Sequence, residues 1–186
     1  MIQRLYWFNN QKCIRKYYID DLVDNNSEVL FVLESPSTRE ILCNAPASGY
    51  TGKKISKNLL NKDCKRGIGE LKFNNKIPTD NKSKKIGIMN ISQIPMQCKD
   101  YSLKDLETID IKKIKNLSWL RKTIQTSGKI TYNYKDDKKS KNQIIYNILS
   151  SFAFRLIYYL NNYNKIYKIY LSGNVAQAFF KNLCLR

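Results

Sequence analysis

Residues 29–53 read VLFVLESPSTREILCNAPASGYTGK, and the reading of this stretch decides the fold. Val29, Leu30, Phe31, Val32 and Leu33 form a short continuous apolar run, the pattern of a strand buried on both faces. Glu34 stands at its exit, and proline turns follow at Pro36 and Pro46. In an open α/β sheet, ligands bind outside the carboxyl ends of the strands, so a Glu-Ser-Pro-Ser turn there is a candidate site. Position alone favours the plainer reading, a solvated loop acid.

Working outward, two more strand-like segments stand out, KIGIMNI at 85–91 and KIYKIYLSG at 165–173, each followed by a turn. Between them lie two segments of helical periodicity. The first carries Leu103, Leu106, Ile109, Ile114, Leu117 and Leu120. The second runs from Asn142 to Asn162 with Ile144, Ile145, Ile148, Leu149, Phe152, Leu156, Ile157 and Leu160. Core packing is the plain reading of both. Strands separated by helices predict a three-layer α/β sandwich around a central parallel sheet, joined by right-handed crossovers. The segments 61–85 and 133–142, rich in charge and turn residues, read as irregular surface loops.

At 186 residues the chain reads as a single domain, 1–186, long enough to bury a core. Thirty-three Lys and Arg against fifteen Asp and Glu give a formal charge of +18. Such an excess favours a polyanionic partner through counter-ion release and long-range attraction. Nucleic acid is the expected partner, and an acidic membrane surface the other class, although a Lys- and Asn-rich composition also reflects codon bias. The sequence holds no run of 18 apolar residues. Its start lacks the apolar stretch and small-residue cleavage site of a signal peptide. The expectation is a soluble protein of the cytoplasm, associated with the nucleoid if it binds DNA, and not with a membrane.

Cys13, Cys43, Cys64, Cys98 and Cys184 are odd in number, widely spaced and without a C-x-x-C pair, so they read as reduced thiols. The chain contains no histidine. That removes Cys/His zinc sites, the commonest general base near neutral pH, and Ser-His or Cys-His nucleophile pairs. Chemistry in this chain falls to carboxylates, amides, hydroxyls, lysines or backbone dipoles. No metal ligand is assigned.

The opening stretch resembles the first motif of the uracil-DNA glycosylase superfamily. It is similar to the bacterial and archaeal branch that reads Gly-Glu-Ala-Pro-Gly, then Glu, then Gly-x-Pro-Phe-x-Gly-x-x-Gly. Glu34, Pro36, Glu40, Pro46, Gly49 and Gly52 fall in that order and spacing. The segment IGIMNIS resembles the family's second strand, with Asn90 at the family's asparagine and Pro95 at the proline beyond it. IYLSGNVAQAFF resembles the strand-Gly-x-x-Ala-helix turn at Gly173 and Ala176, a turn common to many α/β proteins. The resemblance spans roughly residues 28–180 and is most detailed in the first motif.

The resemblance implies a uracil-DNA glycosylase-like domain that extrudes a base from DNA, single-stranded or modified DNA included, and hydrolyses its N-glycosidic bond without a cofactor. Glu34 would orient or activate water and stabilise positive charge on the sugar. Asn90 would read the Watson-Crick edge of the base, an amide offering donor and acceptor together. Its alternative is a residue that merely caps a strand. Ser35, Pro36, Ala47 and Tyr50 would wall the base. Ser37, Lys53, Lys54, Lys57, Gly173 and Asn174 would meet the DNA backbone, although exposed lysines often carry no role.

This chain departs from the family pattern. Ala47 stands where the family has a stacking phenylalanine, and base stacking contributes about 1–3 kcal/mol. Tyr50 either substitutes for it or blocks the site. The sequence stops at Arg186 without the family's fourth strand and His-Pro-Ser loop, and the branch's iron-sulfur cysteines have no counterpart. Losing one leaving-group donor costs roughly 100- to 1000-fold in rate. Without a fourth strand the third is expected to form an exposed sheet edge, open to a protein partner or a second copy. Three readings follow: a divergent glycosylase, for uracil or another base; a catalytically silent relative that binds nucleic acid; and, outside the family, a nucleotide- or phosphate-binding α/β protein. The last lacks a P-loop and a G-x-G-x-x-G.

Overall fold

The computed structural model describes residues 11–60, 64–77, 85–102, 104, 106–130 and 140–184. Its centre is a parallel three-stranded sheet in the order β2-β1-β3, formed by β1 (Val29–Leu33), β2 (Ile86–Asn90) and β3 (Lys168–Leu171). The helices are α1 (Gln11–Arg15), α2 (Thr38–Cys43), α3 (Tyr50–Leu60), α4 (Ile68–Phe73), α5 (Thr108–Ser127), α6 (Ser140–Asn162) and α7 (Gly173–Cys184). The register sets Leu33 beside Asn90 and Val32 beside Leu171.

Strand β1 is apolar throughout because both of its faces are covered. Alternation turns Leu30 and Val32 toward one core, built with Met89 and the buried faces of α5, α6 and α7. Phe31 and Leu33 turn the other way, into a smaller core with Ile86, Ile88, Leu60, Ile68 and Leu71 from β2, α3 and α4. The mixed α/β expectation and its parallel sheet are thus borne out, with helices on both faces.

The two flanks of the sheet differ. Beside β2, Leu22 exchanges backbone hydrogen bonds with Ile88, at 2.8 and 3.0 Å, and Ile19 N–H donates to the Gln93 carbonyl at 2.9 Å. Beside β3 lies the other edge of the sheet, where Lys168 and Tyr170 are exposed. Phe31 and Tyr170 stack across the β1–β3 pair with centroids 5.2 Å apart.

Several expectations need correction. Segment 61–85 is not wholly an exposed loop: α4 lies within it, and Ile68 and Leu71 are buried one turn apart. Residues 61–63 and 78–84 lie outside the described residues, as do 131–139 of the second expected loop and Leu103. Ile109 faces solvent on α5, and Ile157 and Leu160 do so on α6, so both buried stripes are narrower than the apolar spacing suggests. Cys13, Cys43, Cys64 and Cys98 form no disulfide, in keeping with reduced thiols. Among the described residues no helix is long and apolar enough to cross a membrane.

Candidate active site

Strand order 2-1-3 makes the chain leave β1 toward one side and return past it to β3 on the other. The gap between the carboxyl ends of β1 and β3 is therefore a topological switch point, where open α/β sheets bind ligands. A cavity of about 320 Å³ opens there. Leu33, Glu34 and Ser35 line it from the β1 exit, and Ser172 and Gly173 from the β3 exit. Ser37, Glu40, Ala47, Tyr50 and Gly52 complete one wall, while Gln97 and Arg121 close the other.

The wall is shaped by a buried carboxylate. Glu40 Oε2 accepts hydrogen bonds from Ser37 N–H and the Ser37 hydroxyl, both at 2.8 Å. Its Oε1 accepts the Ala47 N–H at 2.5 Å. Burial raises the Glu40 carboxyl above its ordinary range and the nearby Asp100 adds to the rise, while the bonds from Ser37 and Ala47 oppose it. With both oxygens used this way, Glu40 fixes the turn and leaves Glu34 as the partly exposed carboxylate of the cavity. The far side of the turn meets glycines. A β-carbon at Gly52 would lie 1.6 Å from the Ala47 carbonyl oxygen, and one at Gly69 would lie 1.5 Å from that of Pro46. Only glycine lets α3 and α4 approach the loop this closely. Ala47 itself sits at φ 53°.

Glu34 is partly exposed and held from α5. Arg121 Nε donates to Glu34 Oε1, Arg121 Nη1 to Gln125 Oε1 at 3.0 Å, and Gln125 Nε2 to Glu34 Oε2 at 3.4 Å. The ring fixes the carboxylate while leaving it near water. Asn174 Nδ2 donates to the Gln125 carbonyl at 3.3 Å, tying the start of α7 to α5.

Asn90 does not line the cavity. It ends β2 beside Leu33, on the sheet face of Ile86 and Ile88, and is wholly buried. Its backbone is firmly held: the N–H donates to Asp21 Oδ1 at 3.3 Å and the carbonyl accepts Arg155 Nη2 at 2.8 Å. Among the described residues neither polar atom of its side-chain amide has a hydrogen-bond partner. Leaving a buried polar group unsatisfied costs about 1–3 kcal/mol, so an orphaned amide next to a cavity-lining residue calls for a functional account.

Of the residues singled out in the sequence, Glu34, Ser35, Ser37, Ala47, Tyr50 and Gly173 converge on one cavity. Pro36 is buried in the loop behind it. Lys53, Lys54 and Lys57 are exposed along α3, with the Lys54 ammonium 4.6 Å from the Tyr50 ring centroid. Gly173 has φ 86° and open space where a β-carbon would stand. Among the described residues no group of three or more His, Cys, Asp or Glu side chains could hold a metal ion.

Sequence reading missed Arg121, Gln125 and Arg155. A polar pair four residues apart on an amphipathic helix is the ordinary pattern of a solvent face, so Arg121 and Gln125 carry no distinguishing signal. The Gly-x-Gly at 67–69 was a usable one, since glycines at a helix start mark close backbone approach. Compared with protein-family models, curated proteins and solved structures, the chain matches none of them.

Proposed function

We propose that this protein is a DNA glycosylase that hydrolyses the N-glycosidic bond of a base flipped out of DNA, uracil or another modified base. The observation that carries the reading is the convergence of Glu34, Ala47, Tyr50 and Gly173 on one cavity at the switch point. Glu34, Ala47 and Tyr50 belong to the first motif and Gly173 to the turn after the third strand, so two motifs far apart in the chain meet at one place, as a glycosylase requires.

In this reading the base enters the cavity and Glu34 orients water toward C1′ of the sugar. As the C1′–N bond breaks, its electron pair leaves with the base and the carboxylate stabilises the positive charge left on the sugar; the water oxygen then bonds to C1′, and the proton it loses passes by way of Glu34 to the departing base. Ala47 leaves room where a stacking ring would stand, which suits a base bulkier than uracil. The net charge of +18 supports DNA as the partner.

The test is to incubate the protein with single- and double-stranded DNA carrying uracil, hypoxanthine, xanthine or modified cytosine, and to cleave abasic sites with alkali. Cleavage of one substrate, reduced at least about 100-fold by Glu34→Gln, is the expected result. A second reading, a catalytically silent relative that binds nucleic acid, is favoured by the ion pair that occupies Glu34. Salt-dependent DNA binding with every substrate left intact would select it.

A further inference from the structure

We infer that Arg121 is a DNA-phosphate contact and that Glu34 is its resting counter-ion, exchanged for a backbone phosphate when a nucleotide enters the cavity. The inference rests on the nucleic-acid reading above and adds a binding residue to it. Among the described residues that line the cavity Arg121 is the one cation, and Glu34 is the partly exposed carboxylate beside it. A nucleotide entering there brings phosphate charge toward that carboxylate, and the guanidinium is the cavity-lining group that can neutralise it.

The pair is built to be exchanged. The side chains of Arg121 and Glu34 are 23% and 21% exposed, and an ion pair in contact with water is weak. A guanidinium binds phosphate by paired, charge-assisted hydrogen bonds, and each neutralised phosphate releases condensed counter-ions. After the exchange Gln125 Nε2 still donates to Glu34 Oε2, so one carboxylate oxygen keeps its orientation while the other becomes free to accept a hydrogen bond from water. DNA binding and exposure of the reactive carboxylate are thereby one event.

The experiment measures binding of a short fluorescein-labelled oligonucleotide, carrying a tetrahydrofuran abasic-site analogue, over a range of salt concentrations. R121Q should lower the slope of log affinity against log salt by about one, and R121K should restore it. E34Q should tighten binding about two- to five-fold, the gain of freeing Arg121 from its resting partner. That gain should vanish in E34Q/R121Q. An unchanged slope in R121Q, or a gain from E34Q that persists in the double variant, overturns the inference while DNA binding itself stands. Absence of salt-dependent binding by the wild type overturns both. Displacement of the oligonucleotide by inorganic phosphate at matched ionic strength, seen for wild type and not for R121Q, would mark a free-phosphate site and overturn the assignment to DNA.

Discussion

The exits of β1 and β2 use the same chemistry in opposite surroundings. At β1, Arg121 from α5 meets Glu34 with both side chains about a fifth exposed. At β2, Arg155 from α6 meets Asp21 at 2.6 Å with each side chain 1% exposed. Arg155 also donates from Nη2 to the carbonyls of Asn90 and Ile91, both at 2.8 Å, and Tyr159 donates its hydroxyl to Asp21 at 3.1 Å. Burial pushes the Asp21 carboxyl upward, opposed by the Arg155 charge. Burial and Asp21 together raise the Tyr159 phenol, which stays a donor. The dry pair is architecture, because neither ion has water to fall back on. The wet pair is free to change partners.

The largest expected effect breaks the dry pair. Arg155→Ala strands the Asp21 carboxylate and two strand-end carbonyls, and should cost about 3–5 kcal/mol in urea denaturation. A loss below 1 kcal/mol would show that the β2 exit does not depend on it. Next in size, Gly69→Ala drives a β-carbon against the Pro46 carbonyl, for which overpacking predicts about 1–3 kcal/mol together with loss of the cavity wall. Unchanged stability would mean that the loop yields freely. Arg121→Gln, the wet counterpart of the first variant, should change the same unfolding free energy by less than about 1 kcal/mol. An equal cost at both exits would erase the distinction.

The smallest effect concerns pH. Burial opposes ionisation of Asp24, but its bond to Lys72 at 2.9 Å outweighs this and holds the carboxyl below its ordinary value. A folded value below the unfolded one contributes stability that is present above about pH 4 and is lost as pH falls through the folded value. Asp24→Asn should flatten the acid limb of the stability profile by a few tenths of a kcal/mol, as suits a half-exposed carboxylate. A limb identical to wild type would remove Asp24 from the account.

The sheet was legible in the sequence because double burial writes itself as an unbroken apolar run, as in Val29–Leu33, and helical burial as a three-to-four spacing, as in Ile145, Ile148 and Phe152. The β1 side of the site was legible through turn residues that have few substitutes: Ser37 and Glu40 closing a helix start, and Gly52 against a carbonyl. Helix α4 was hidden by brevity, since six residues carry one buried turn amid charge. The arginines were hidden for a different reason. Whether a guanidinium on a helix meets solvent, a carboxylate or a strand end depends on elements far away in the chain, and local spacing holds no record of that.

The turn at 46–48 ties the frame of the cavity to its lining. Its main chain is locked by Glu40 on one side and by bare glycine backbone on the other, and Ala47, which lines the cavity, is itself buried at φ 53°. A larger side chain is strained at such a backbone angle. Any substitution at position 47 that resizes the chamber therefore also presses on the backbone that outlines it.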